Sequence, residues 1–135
     1  MCLTTTQTDW LIAKKDIKCY KILERCHNSY NGRTYYKTPY TNVEVSDSIL
    51  KGEEMFKAEG TPAFRDHYYG CGIYLHQIDK GAIHAYKTMN RANDYASYNC
   101  FRVVFKCVIP KGTKYAVGMY DDICAEQIKF VKKLK

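Results

Sequence analysis

The sequence predicts an α+β domain in which a mostly antiparallel β-sheet carries two helices on one side. Short segments with alternating apolar and polar residues lie between turn residues, and the clearest of them covers 101–109. A helix is predicted at 49–58 from the cap residues before it, although Gly52 interrupts its periodicity, and a clearer one at 78–93, where residues on one face recur at three- and four-residue spacing. The predicted order is strand, hairpin, helix, short strand, helix, strand, strand.

In the N-terminal half, the first strand is predicted at 17–24 and leads into a hairpin. The pair Asn31-Gly32 is a strong hairpin signal, and a second strand follows it at 34–37. Pro39 ends that strand, because proline cannot donate to a strand ladder. Residues 40–45 have the composition of a further short strand.

In the middle of the chain, Ser46-Asp47-Ser48 is predicted to cap the first helix. Residues 59–72 contain several glycines and a proline, which indicate a loop, and a short strand is predicted at 73–76. Asp79 is predicted to cap the second helix. His84 falls off the apolar stripe of that helix, so we expect it at the surface.

The C-terminal third is predicted to contain two strands, at 101–109 and 123–131, separated by a turn at Pro110. In the second of them Glu126 shares one side with Ile128 and Phe130, so a core on that side would half-bury the carboxylate. A carboxylate facing apolar neighbours must be paired, protonated or used. Glu126 is therefore the candidate catalytic residue if the protein is an enzyme.

Length and composition are those of one domain over residues 1–135, with 1–15 as a lead-in segment that Trp10 anchors. No apolar run approaches the roughly 18–20 residues of a membrane span, and the N-terminus lacks a secretory pattern. We therefore expect a cytoplasmic protein without a membrane partner. The seven cysteines contain no C-x-x-C pair and are expected to be reduced core residues, with no metal bound.

The charge balance favours anionic partners, because the formal net charge is +7. Thirteen tyrosines are interleaved with lysines and arginines, and such residues can stack on bases while the cations take phosphate. A basic surface that only confers solubility is the competing interpretation. No helix-turn-helix, zinc-finger or RNA-binding signature is visible, so no sequence-specific nucleic-acid recognition is expected.

The segment Gly70-Cys71-Gly72-Ile73-Tyr74-Leu75-His76, with Tyr86 after it, resembles the Gly-x-Gly-Ile-Tyr signature of poly- and mono-ADP-ribosyltransferases. The resemblance implies that Tyr74 stacks on the nicotinamide of NAD and that Glu126 is the catalytic glutamate. The stretch matching the family's first strand, 18–22, lacks the His-Gly-Thr or Arg that holds NAD, which favours binding over catalysis. The candidate ligand-binding residues are Gly72, Tyr74, His76, Tyr86 and Arg102.

A second resemblance covers more of the chain. The opening Met1-Cys2-Leu3-Thr4-Thr5 and the blocks 15–23, 108–115 and 128–132 are similar to small uncharacterised proteins of gut bacteria and their phages and prophages. This resemblance implies a small accessory protein of a mobile element. Sequestering or modifying host nucleotides is a common task in that setting.

Three functions follow as hypotheses. The first is a binding module that holds an anionic nucleotide-like ligand between the 70–76 segment, the second helix and the Glu126 strand, and sequesters it in host–phage conflict. The second is an ADP-ribosyltransferase-like enzyme with NAD as cofactor. The third is an interaction module that binds a host or phage protein through its tyrosine- and lysine-rich face.

Overall fold

A computed structural model describes residues 3–5, 9–58, 64–69, 73–78 and 82–134. Every strand pairing in these residues is antiparallel, and two helices accompany the strands, which confirms the α+β class. The strands are β1 Leu3–Thr5, β2 Leu11–Ile12, β3 Ile17–His27, β4 Thr34–Lys37, β5 Glu44–Val45, β6 Phe56–Lys57, β7 Phe64–Tyr69, β8 Ile73–Ile78, β9 Ile83–Tyr86, β10 Arg102–Ile109, β11 Lys114–Val117, β12 Asp122–Ala125 and β13 Gln127–Lys133. The helices are α1 Asp47–Leu50 and α2 Met89–Ala96.

The strands form a large sheet and a small one. The large sheet has the order β2-β11-β12-β9-β3-β10-β13-β6, with β4 attached to β3 and β5 to β4. Its centre is the β3–β10 pair, which runs in register from Ile17↔Ile109 to Glu24↔Arg102. The small sheet has the order β1-β8-β7. The predicted strands at 17–24, 34–37 and 101–109 are confirmed.

The two helices lie on opposite faces of the large sheet, so the prediction that they share one side is wrong. Successive residues of a strand point to opposite faces, and both Ile22 and Leu23 of β3 are buried. Leu23 belongs to the main core, against which Ile49 of α1 packs. Ile22 belongs to a second cluster together with Ala92 of α2. Each face of the central strands therefore has its own helix to cover it.

The first helix is a single turn, and the prediction of a helix over 49–58 is wrong beyond Leu50. The Ser46 cap is confirmed, since its hydroxyl accepts a hydrogen bond from the Ile49 amide at 3.4 Å. Gly52 adopts a φ of 76°, a left-handed conformation that glycine tolerates and that ends the helix. The chain then forms β6, which pairs with β13.

The second predicted helix is also wrong in its first half, where the chain forms β9 and pairs with β12. The helix α2 begins only at Met89, and the Thr88 hydroxyl caps it by accepting from the Arg91 amide at 3.2 Å. Asp79 lies outside the described residues. Ala85 and Tyr86 are both buried, although they point to opposite faces of the strand. A strand buried on both faces lacks the alternation of apolar and polar residues, so its sequence fits the period of a helix as well as that of a strand.

Four further strands, β7, β11, β12 and β13, differ from the sequence prediction. The expected loop at 59–72 contains β7, which forms a hairpin with β8. The expected single strand at 123–131 divides at Glu126 into β12 and β13, which belong to different parts of the sheet. The strand β11 was not predicted at all. The chain turns at Glu126 because β12 pairs with β9 while β13 pairs with β10.

The predicted role of Trp10 as an anchor is confirmed, since Trp10 packs against the buried Ala116 and Cys124. Cys19, Cys107 and Cys124 are buried free thiols, as expected, whereas Cys100 is exposed. Neither helix in the described part of the chain has the length and apolar character needed to cross a membrane.

Candidate functional site

A cavity of about 580 Å³ lies between β3, β9 and the turn that joins β4 to β5. Tyr20 of β3 pairs with Tyr86 of β9, and Glu24 further along the same strand pairs with Lys37 of β4. The part of β3 between these pairings borders the cavity. Its volume lies in the range of about 300–1,000 Å³ typical of small-molecule sites. The lining residues are Lys21, Ile22, Thr38, Pro39, Tyr40, Thr41, Val43, Phe56, Lys57, Ala58, Ala82, Ile83, His84, Tyr86 and Arg102.

Lys21 is a buried cation in the cavity wall, with an exposed fraction of 9%. Strand alternation places it on the same side as Cys19 and Leu23, which belong to the main core. Its ammonium donates a hydrogen bond of 2.7 Å to the backbone oxygen of His84. Among the described side chains, no carboxylate forms an ion pair with Lys21.

Burial lowers the pKa of Lys21 to about 8, because a charged ammonium is poorly solvated there. The nearby thiols of Cys107 and Cys19 raise the pKa of Lys21, but by less than burial lowers it. Burial also raises the pKa of Cys19 to about 12 and raises that of Cys107. These thiols therefore remain protonated at neutral pH, and Lys21 has no anionic neighbour on this side.

His84 also lines the cavity, so the prediction of a surface histidine is wrong. The imidazole is partly buried, and neither ring nitrogen has a hydrogen-bond partner among the described residues. Burial, followed by the charge of Lys21, lowers the pKa of His84 to about 4. The ring is therefore neutral at pH 7 and retains one donor and one acceptor.

Arg102 contributes a second cation and is held by three contacts. Its Nη1 donates to the backbone oxygen of Tyr95 in α2 at 3.0 Å, and its backbone amide donates to Asn99 at 3.0 Å. The guanidinium carbon lies 5.7 Å from the centre of the Tyr40 ring, within cation–π range. Its Nε is buried without a hydrogen-bond partner among the described residues.

Tyr86 connects the cavity to the second helix. Its ring stacks on Tyr95 of α2, with the ring centres 5.1 Å apart and the planes inclined by 16°. Burial raises the pKa of Tyr86 to about 12, with smaller contributions from Tyr95, Tyr40 and Asp122, while Arg102 lowers it. The phenol is thus protonated and can donate a hydrogen bond at neutral pH.

Tyr40 projects from a turn whose backbone is closed at both ends. The Thr38 amide donates to Val43 at 2.9 Å, and the Val43 amide donates to the Thr38 hydroxyl at 2.9 Å. Asn42 adopts a φ of 56°, a left-handed conformation that asparagine tolerates better than most residues. Tyr40 has an exposed fraction of 58%, so its ring is accessible at the rim of the cavity.

The cavity is electropositive. Its described lining contains the cations Lys21, Lys57 and Arg102 and no acidic residue. Because charges in a partly buried site are screened less than charges on the surface, this imbalance attracts an anion.

Two of the predicted ligand-binding residues, Tyr86 and Arg102, lie in the wall of this one cavity. Gly72 lies outside the described residues. Tyr74 and His76 belong to β8 of the small sheet, where they pair in register with Tyr68 and Asp66, and their side chains lie outside the described part of the structure.

Glu126 is exposed, so the expectation that its carboxylate is half-buried is wrong. It occupies the break between β12 and β13, where the strand alternation that would have placed it beside Ile128 is interrupted. Its Oε1 accepts a hydrogen bond from the Lys114 amide at 3.1 Å, and its backbone oxygen accepts one from Ala58 at 2.8 Å. Glu126 is not among the lining residues described above.

Lys21, Tyr40 and His84 are not among the ligand-binding residues that the sequence predicts, although Tyr40 is one of the tyrosines expected to stack on bases. A signal for Lys21 was present, because it lies between Cys19 and Leu23 in the alternation of a strand whose other residues are largely apolar. The argument applied to Glu126, that a charge facing apolar neighbours needs an explanation, applies to Lys21 with greater force. The sequence gives no signal for His84, because its segment has the spacing of a helix and that spacing places the ring at the surface.

No protein-family model, curated protein or solved structure matches the chain. Within the described residues, no three His, Cys, Asp or Glu side chains are grouped as a metal site requires. The functional assignment therefore depends on the geometry of the cavity.

Proposed function

We propose that the protein is a binding module for an anionic, nucleotide-like small molecule, which it holds in the cavity between β3 and β9. One observation carries this proposal. Two cations, Lys21 and Arg102, and two aromatic residues, Tyr40 and Tyr86, line the same cavity, and its described lining contains no acidic residue. The cations suit a phosphate or carboxylate, and the exposed ring of Tyr40 suits a planar base. In the phage or prophage setting implied by the sequence resemblance, such binding would sequester the ligand.

The ADP-ribosyltransferase-like enzyme is the second candidate, and the position of Glu126 makes it the weaker one. A transferase of that kind needs its carboxylate beside the bound NAD. Here the carboxylate accepts from the Lys114 amide and is exposed. If NAD is nevertheless turned over, Glu126→Gln should abolish turnover while leaving binding intact.

A thermal-shift comparison of AMP with adenosine tests the binding proposal, since the two differ only in the phosphate. NAD, ADP-ribose and cyclic dinucleotides complete the panel. A ligand at a hundred times its Kd stabilises the native state by about 2.7 kcal/mol. We expect at least one phosphate-bearing ligand to raise the melting temperature, and adenosine to have a much smaller effect.

The matched variants are Arg102→Met and Arg25→Met. Arg25 is an exposed arginine of β3 that does not line the cavity. We expect Arg102→Met to weaken phosphate binding by roughly tenfold or more, as the loss of a hydrogen bond to a charged group does, and Arg25→Met to have little effect. An equal response of both variants, or no shift with any phosphate ligand, would overturn the proposal and leave the protein-interaction hypothesis.

A further inference from the structure

Lys21 is an unusual residue for the wall of a ligand cavity, because it lies on the core side of the central strand. Its register partner in β10 is Phe105, a core residue. In the described structure the ammonium makes one hydrogen bond, to the His84 backbone oxygen. A lysine carries three N–H donors, so two of them have no hydrogen-bond partner among the described residues, and the residue lines the cavity.

We propose that Lys21 forms a reversible imine with a carbonyl group of the ligand. This inference rests on the proposed function and narrows it, since the ligand then carries an aldehyde or ketone as well as its anionic group. Lys21 lines the cavity from the core side of the sheet and binds the carbonyl carbon covalently. Arg102 lines the same cavity from the side that α2 covers and binds the anionic group.

The step needs no oxidant or reductant. The uncharged Lys21 amine donates its lone pair to the carbonyl carbon, and one proton passes from nitrogen to oxygen to give a carbinolamine. The hydroxyl group then leaves as water with the second amine proton, and a carbon–nitrogen double bond remains. Water reverses the reaction by the same route.

The environment favours the uncharged amine. With its pKa lowered to about 8, roughly a tenth of Lys21 is uncharged at pH 7. An ordinary lysine is uncharged to only about 0.03% at that pH, a difference of roughly 300-fold. Desolvation in an apolar wall is one of the ways in which proteins activate a lysine nucleophile. The protonated phenol of Tyr86 lines the same cavity as a hydrogen-bond donor.

Borohydride trapping with pyridoxal 5′-phosphate tests the inference, since this probe combines an aldehyde, a phosphate and a planar ring. The protein is incubated with a limiting amount of probe at pH 7 and reduced, and the labelled lysines are mapped by peptide mass spectrometry. Lys57 is the internal control, because it is an exposed lysine that lines the same cavity. We expect Lys21 to be labelled roughly tenfold or more faster than Lys57, because a larger fraction of its amine is uncharged.

Labelling of Lys21 at a rate no higher than that of Lys57 would overturn the inference, and this readout on the wild-type protein requires no variant to fold. Lys21→Arg adds a second check, because arginine retains the positive charge but forms no stable imine. It should lose the trapped adduct at this position, while Lys57 is labelled at the wild-type rate.

Pyridoxine 5′-phosphate, in which an alcohol replaces the aldehyde, separates the two proposals. If this analogue binds and Lys21 is not preferentially trapped, the imine is wrong and the binding function stands. If the analogue neither shifts the melting temperature nor slows trapping at Lys21, anion binding in the cavity is wrong, whether or not Lys21 forms the imine.

Discussion

The Lys21 ammonium donates a 2.7 Å hydrogen bond to the backbone oxygen of His84, and this bond joins β3 to β9. The two strands pair through their backbones at Tyr20 and Tyr86, and beyond that point a side chain makes the connection. The same bond holds a cation at the wall of the cavity. A structural contact and the candidate binding site thus share one residue.

Replacing Lys21 by methionine should change how stability depends on alkaline pH. The pKa is about 8 in the folded protein against an ordinary value of 10.5, so between these values the unfolded chain binds more protons. The free energy of unfolding contributed by Lys21 therefore rises with pH across this window, by about 3 kcal/mol. At pH 7.5 the buried ammonium lowers the stability of the wild type. Lys21→Met has no charge to bury, so it should be the more stable protein at this pH.

Urea unfolding of both proteins at pH 7.5, 9 and 10.5 measures the effect as a difference. The comparison is needed because burial raises the pKa of the Cys19 and Cys107 thiols, whose contribution falls as pH rises above 9 in both proteins. We expect the advantage of Lys21→Met to shrink with pH. A constant difference would show that Lys21 is charged to the same extent in the folded and unfolded states.

His84→Phe should reduce the sensitivity of the protein to acid. The folded pKa of His84 is about 4 against an ordinary 6.5, so the unfolded chain takes up a proton first as pH falls. The stability that His84 contributes is present above pH 6.5 and is lost as pH falls to 4, by about 3 kcal/mol. Phenylalanine has no proton to bind and leaves no ring nitrogen unpaired.

The measurement is urea unfolding at pH 7, 5.5 and 4, with His27→Phe as the control. His27 is an exposed histidine at the end of β3. We expect His84→Phe to lose less stability than the wild type between pH 7 and 4, and His27→Phe to follow the wild type. Equal losses in all three proteins would contradict the placement of the His84 ring.

Tyr40→Ala should weaken the binding of a base-bearing ligand more than that of a phosphate alone. Stacking of a base on an aromatic side chain contributes about 1–3 kcal/mol, so we expect a loss of roughly 5- to 150-fold in affinity. Tyr30→Ala is the matched control, since Tyr30 is fully exposed at 100% and does not line the cavity. Titration calorimetry of both variants with the best ligand of the panel checks this. Identical affinities would remove Tyr40 from the site.

Gly52→Ala and Gly32→Ala should differ in their effect on stability, although both glycines have a positive φ, of 76° and 69°. A Cβ at Gly52 would lie 2.7 Å from the backbone oxygen of Phe130, whereas one at Gly32 would meet no atom within 4 Å. We expect Gly32→Ala to cost about 1–2 kcal/mol, from the left-handed backbone alone.

Gly52→Ala should cost clearly more than Gly32→Ala, since the turn after α1 must also move away from β13. Urea unfolding measures both costs, and equal m-values for the two variants would show that the costs can be compared directly. If the two costs are equal, the close packing of Gly52 on β13 is not as described.

Much of the central sheet could be predicted from the sequence, because its signals are local. The strand β10 has a clear two-residue period, and the hairpin after β3 contains Asn31 and Gly32, with Gly32 in the left-handed conformation such turns require. The Ser46 cap was likewise found from its own segment.

The errors fall where a distant partner decides the local structure. Residues 83–86 suit a helix or a strand equally well, and pairing with β12 makes them a strand. The alternation through Glu126 was real, but the chain changes partner strands there, so the carboxylate is exposed. In each case the deciding contact lies far away in the chain, where periodicity carries no information about it.

By itself, the sequence determined the α+β class, the basic charge and the central strands, since these follow from composition and local periodicity. It also supplied Tyr86 and Arg102 as candidate binding residues. Only the tertiary structure decided that these two lie in one cavity with Lys21, Tyr40 and His84. The physical reason is that the cavity forms where β9 and the β4–β5 turn meet the central strand β3, and such an arrangement depends on pairings between distant segments.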